Sequence, residues 1–142
     1  MSDPSRITGD EFLRLIHETI PASHGNDLSV EELASGRAVV RLKGDSSQLR
    51  AGGTLSGPTI MMLADTALYA AVLSVVGLEP LAVTTDLAFH FLSRPALRDL
   101  IAEARIVKHG RKLVVGDVLI RSDGSTGAVA HAVGTYALPD RR

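Results

Sequence analysis

Apolar and polar positions change rhythm along the chain. In "GDEFLRLIHETIP" Phe12, Leu15, Ile16 and Thr19 recur at helical spacing. A Gly-Asp pair opens that segment and Pro21 closes it, which predicts a short amphipathic helix over about 9–20. In "SGRAVVRLKGD" the period falls to two, with Arg37, Val39, Arg41 and Lys43 alternating against Ala38, Val40 and Leu42, the pattern of a strand with one wet face. A polar loop, "GDSSQLRAGG", then leads into the longest apolar run. Pro58 stands where an early helical residue is welcome and Gly77 where a helix stops, so a central helix is predicted over about 58–76.

Downstream, "LAVTTDLAFHFLS" is rich in β-formers, and Asp99 to Pro139 holds three apolar runs parted by His109-Gly110 and by "SDGS", both hairpin signals. The expected order is α, β, α and four β. On one face of the last strand Ala128, Ala130, Ala132 and Gly134 are all small, as a sheet lying close against a helix requires. The class is α+β. No repeat, low-complexity tract or linker interrupts the 142 residues, 45% of them apolar, so one domain over 1–142 is expected.

Composition removes several functions. A formal net charge of −1, with both signs spread along the chain, gives no electrostatic reason to expect nucleic acid or a membrane surface as partner. No cysteine occurs, which excludes disulfides, thiolate catalysis and cysteine-based zinc sites, and the cytoplasm is the default location. The first twenty residues lack the apolar segment of a secretory signal. The apolar run from Thr59 to Val76 carries a central Asp, which costs roughly 2.5–3.5 kcal/mol on insertion scales, so a buried core helix is expected over a membrane span. "GGTLSG" lacks the Lys of a phosphate loop. Ser56, with Thr54 and Pro58 two residues to either side, lacks the glycines of a nucleophile elbow. The histidines at 17, 24, 90, 109 and 131 show no ligand spacing, so no metal is expected.

The remaining chemistry centres on Asp65, the single charge between Gly52 and Leu78. Its neighbours at helical spacing, Met61, Met62, Leu68 and Tyr69, define an apolar surface. An unpaired carboxylate there is costly to bury, so its presence suggests a base or a nucleophile. The competing reading makes Asp65 a structural partner of Arg50 or Arg105. Ser56-Gly57-Pro58 opens the same helix, where free N–H groups favour developing negative charge. Gly57 and Asp65 are eight residues apart, roughly 12 Å along a helix axis. They flank one carbonyl only if two antiparallel copies of the helix meet about a two-fold axis.

"TLSGPTIMMLADTA", "TTDLAFHFLSRP", "AEARIVKHGRKL" and "AHAVGTY" together resemble the PaaI-like acyl-CoA thioesterases of the hotdog fold, with their HGG, LxDxA, TVDLxxxYLRPA and GTY elements. The resemblance runs from about residue 37 to 138. It implies a long central helix wrapped by a curved antiparallel sheet, dimers that pair their sheets and associate into tetramers, and hydrolysis of an acyl-CoA substrate. CoA is then part of the substrate and no separate cofactor is implied. By position, Asp65 matches the family carboxylate, Gly57 the first glycine of HGG, and Thr84 a Ser/Thr that positions water or substrate. Ser56 stands in place of the family His, Pro58 in place of the second Gly, and Arg50 where some members have Asn near the thioester. The resemblance points to Arg94, Lys108, Arg111 and Lys112 for CoA. Met61, Met62 and Tyr69, with Phe89 and Phe91, are candidates to line an acyl pocket. The alternative is a hotdog protein that binds a CoA thioester without turnover. A hotdog dehydratase is disfavoured, because the central helix carries no His.

Overall fold

A computed structural model describes residues 3–21 and 25–140; His24 lies outside them. The first helix, α1 (Gly9–Thr19), is opened by Thr8 rather than by the Gly-Asp pair. The Glu11 N–H donates to the Thr8 hydroxyl at 3.1 Å and the Thr8 N–H to the Glu11 carboxylate at 3.0 Å, a reciprocal capping box. Strands β1 (Leu28–Ala34) and β2 (Arg37–Leu42) follow, then a two-residue pair, β3 (Leu49–Arg50) and β4 (Thr54–Leu55). The central helix α2 (Gly57–Val76) leads to β5 (Val83–Phe91), β6 (Leu100–His109), β7 (Leu113–Ser122) and β8 (Ala128–Ala137).

Six strands form one antiparallel sheet in the order β1-β2-β6-β7-β8-β5, curved around α2 as the hotdog fold requires. The sequence reading missed β1, β3 and β4. In β1 the register slips between Val30 and Glu32, so a bulge breaks the alternation that marks a strand. Ser74, fully buried near the end of α2, accepts the Gly36 N–H at 2.9 Å, which ties the β1–β2 turn to the helix. The His-Gly turn is longer than two residues. Gly110 to Lys112 form the connection, closed by the Gly110 N–H on the Leu113 carbonyl at 2.9 Å. At Asp123-Gly124 only the glycine takes positive φ, +79°.

The helix α2 is long and apolar enough to cross a membrane, yet 67% of its apolar window is buried within the fold. Its closest approach is made by Leu68. Gly116 of β7 and Gly134 of β8 are register partners, and a Cβ built on either would lie 2.7 Å from a Leu68 methyl. The small face expected on the last strand is therefore a seat for α2: Ala130 and Ala132 are buried beside Gly134.

Adding a methyl to this seat tests the fit. Gly134→Ala is expected to cost about 1–3 kcal/mol by overpacking. That cost should shrink in a Leu68→Ala background, since two of the three nearest atoms are the mobile ends of Leu68 and Leu87. At Gly116 the new Cβ meets the Arg105 backbone carbonyl at 2.6 Å, so its cost should persist in the same background. Chemical denaturation of the single and double variants measures both couplings; equal coupling of the two glycines to Leu68 would refute the arrangement.

Candidate active site

Asp65 lies one helical turn before Leu68 on α2, half-buried, and the approach that seats Leu68 on Gly134 brings Asp65 to Tyr136, two residues further along β8. The Tyr136 hydroxyl donates to Asp65 Oδ1 at 2.7 Å, and the Thr84 hydroxyl donates to the same oxygen at 2.9 Å. Thr84 and Tyr136 are register partners, whereas the register slips between Thr84 and Asp86. Thr84 and Leu87 are three residues apart, which in an unbroken strand places them on opposite faces. The bulge at Thr85 turns both toward the helix. Among the described residues no cation pairs with Asp65, and its second oxygen, Oδ2, meets no hydrogen-bond donor. The structural-pair reading therefore fails: Arg105 pairs with Glu103 at 3.4 Å, and Arg50 lines a different cavity.

Tyr136 was not singled out from the sequence, although "GTY" contained it. Burial raises its pKa far above the ordinary phenol value, and the Asp65 charge and hydrogen bond raise it further. It stays a donor. Its ring stacks on Tyr69, with centroids 5.5 Å apart and planes 9° apart, and Tyr69 meets Phe12 of α1 edge-on at 5.7 Å. Burial, followed by the Glu79 charge, raises the Tyr69 phenol too.

The start of α2 forms a second half-site. Ser56 is the N-cap, accepting the Thr59 N–H at 3.4 Å and sharing a 2.8 Å hydrogen bond with the Thr59 hydroxyl. Helical geometry begins at Gly57, one residue before the expected start, with Pro58 second. The Gly57 N–H meets no acceptor among the described residues. A Cβ on Gly57 would touch only Phe91, at 3.7 Å, so packing does not demand a glycine there. Gly57 opens onto a cavity of about 390 Å³ with Arg50, Phe91, Ser93 and Arg94. A separate cavity of about 250 Å³ lies beside Asp65, with Met62 and Tyr69 in its wall. The two share no lining residue.

Other candidates fall elsewhere. Met61 is 43% exposed and lines neither cavity, because the stripe of α2 facing the Asp65 cavity runs through Met62 instead. Phe89 stacks on Phe91 at 5.9 Å. Arg94 follows β5, whereas Lys108 is next to last in β6, and Arg111 and Lys112 precede β7. Phe91 pairs with Ala130 and Leu113 with Ala137. These cations thus sit at opposite ends of the strands, roughly 23 Å apart at 3.3 Å per residue, and one chain does not gather them into one patch.

Residues 52–129 match the family model of the thioesterase superfamily. The chain belongs to that superfamily. It is a PaaI-like hotdog thioester hydrolase. A candidate thioesterase from Silicibacter sp. is 38% identical over 99% of this chain and 97% of its own, with a TM-score of 0.86. A mutant of the phenylacetic acid degradation protein PaaI from Thermus thermophilus is 27% identical over 84% of this chain and 99% of its own, with a TM-score of 0.74. A hypothetical thioesterase from Streptococcus pneumoniae, solved with coenzyme A, shares the fold at 23% identity over 95% and 99% of the two chains, with a TM-score of 0.76. No curated protein matches. The matched segment of the thioesterase includes Gly57, Asp65 and Thr84, and leaves out α1 and Tyr136.

The chain has two tyrosines, both raised above the ordinary value. A spectrophotometric titration should therefore place both ionisations above pH 10 while the protein is folded, that of Tyr136 the higher, and both near the ordinary value once it unfolds. Stability contributed by the two phenols is complete below about pH 10, the unfolded value, and is lost as pH rises above it. A tyrosinate signal with a midpoint near 10 in the native state would refute this placement of Tyr136.

Proposed function

We propose that the thioesterase hydrolyses acyl-CoA in a site shared by two chains, with Asp65 of one chain as general base and the partner's Gly57 N–H polarising the thioester carbonyl. The observation that carries this reading is the asymmetry of Asp65. Two hydroxyls hold Oδ1, which fixes the carboxylate and leaves Oδ2 directed to the reaction. The expected role of Thr84 changes accordingly: its proton is donated to Asp65, so it positions the carboxylate rather than a water.

In this reading Asp65 takes a proton from water while the oxygen attacks the carbonyl carbon. The resulting oxyanion is stabilised by the Gly57 N–H and the first turn of α2. The carbon–sulfur bond then breaks, and the CoA thiolate leaves and takes up a proton. Ser56 caps the helix and is not the nucleophile. Arg50 and Arg94 flank the Gly57 cavity and suit the phosphates of CoA. No cofactor takes part.

Geometry supports the sharing. On one helix Gly57 and Asp65 are too far apart to meet at one carbonyl, and β5 runs from the Asp65 half-site at Thr84 to the Gly57 half-site at Phe91. β5 is also a sheet edge, with Val83 and Phe91 both exposed, and a long unprotected edge is a template for pairing. Two β5 strands paired antiparallel about a point between Leu87 and Ala88 set Thr84 of one opposite Phe91 of the other. Each Asp65 then faces the partner's Gly57.

Asp65→Asn should lower hydrolysis of acyl-CoA by about 10²–10⁴-fold with the melting temperature nearly unchanged, since the amide oxygen still accepts from Tyr136 and Thr84. Gly57→Leu, which fills the cavity beside Phe91, should also be nearly inactive. Mixing the two variants under conditions that exchange subunits should restore about a quarter of wild-type activity, because half the dimers are mixed and each carries one intact site. No recovery despite proven exchange would refute the shared site, and full activity of Asp65→Asn would refute the base.

A further inference from the structure

We propose that the cavity beside Asp65 is an acyl pocket closed at its end by α1, sized for an uncharged, apolar acyl group of about six to eight carbons. The inference rests on the hydrolytic reading above and names its substrate class.

On α2, Met62, Asp65, Thr66 and Tyr69 fall three, four and seven residues apart, a single stripe that meets the sheet at Tyr136. Ile16 and Ile20 of the α1 segment stand across from it, enclosing about 250 Å³. At about 30 Å³ for a water-sized group, this space holds roughly eight such groups. The wall offers little to a polar acyl group. The Thr66 hydroxyl donates to the Met62 carbonyl at 2.8 Å, the Tyr69 hydroxyl to the Glu79 carbonyl at 3.4 Å, and the Tyr136 hydroxyl to Asp65. Among the described residues no Lys, Arg or His lines the cavity. A carboxylate at the far end of an acyl chain would enter without a counter-ion, toward the charge of Asp65.

The end wall is anchored in the core. Phe12 is fully buried and meets Tyr69 edge-on, Ile16 is buried, and the Ile20 N–H closes the helix on the Ile16 carbonyl at 2.8 Å. Ile20 itself is 38% exposed, at the rim, where substitution alters the pocket without cutting into the core. Because α1 lies outside the family-matched residues 52–129, the length limit is set by the N-terminal helix rather than by the matched segment.

The test is a series of linear substrates from acetyl-CoA to tetradecanoyl-CoA, followed by thiol release. For the wild type kcat/KM should rise by up to about fourfold per added methylene, peak at hexanoyl to octanoyl, and fall at least about tenfold by tetradecanoyl as the end wall is met. Ile20→Trp should move the peak to shorter chains and Ile20→Ala to longer ones. Adipyl-CoA, a six-carbon chain ending in a carboxylate, should react at least about tenfold more slowly than hexanoyl-CoA. A flat wild-type profile, or a peak that neither variant moves, overturns the pocket while leaving acyl-CoA hydrolysis standing. Failure of the wild type to cleave any member of the series overturns the hydrolytic reading, and the pocket with it.

Discussion

The contact between Leu68 and the paired glycines of β7 and β8 sets the depth at which α2 lies in its sheet. A side chain at either position would press on a Leu68 methyl, 2.7 Å from the new Cβ, and crowd the helix at this point. Asp65 is one turn away. Its 2.7 Å hydrogen bond from Tyr136 therefore depends on two positions that carry no side chain. Through Leu68 the glycines act on the chemistry without touching it.

The bulge in β5 is the second device of this kind. It reverses the facing of Thr84 relative to Leu87, so that one strand supplies both an apolar contact to the core and a hydroxyl to the carboxylate. Bulges at sheet edges commonly re-aim a side chain in this way. Together the bulge and the glycine seat give Asp65 two donors on one oxygen. A carboxylate fixed through Oδ1 loses little freedom in the transition state, which is the purpose of preorganisation.

The N-terminus of α2 is built from three residues that play different parts. Ser56 caps the helix, and its hydroxyl is engaged with Thr59. Pro58 contributes no N–H, and the Thr59 N–H goes to the cap, so of the first three helical residues only Gly57 presents an uncommitted N–H. The anion-binding capacity of this helix end is thus concentrated on one donor. The cations around it, Arg50 and Arg94, lie in the β3–β4 hairpin and just beyond β5, two elements brought together by the sheet edge.

Local patterns determined much of this protein. Helical spacing, Pro58 and Gly77 placed the central helix to within a residue of its observed start, β-rich runs marked the four later strands, and Asp65 stood out because nothing around it was charged. The quoted motifs pointed to the hotdog fold and to thioester hydrolysis. The sequence was silent where the relevant spacing is not along the chain. β1 escaped because its bulge destroys the period-two signal, and Tyr136 because a terminal tyrosine reads as core until a strand register sets it against a helix 71 residues away. The partner of Asp65 was undecidable from spacing alone: Arg50 and Arg105 were equally available, and only the packed sheet sends Arg105 to Glu103 and two hydroxyls to the carboxylate. Likewise, basic residues that seem one set in sequence lie at two ends of the sheet, since strand direction, and not sequence distance, decides which charges share a surface.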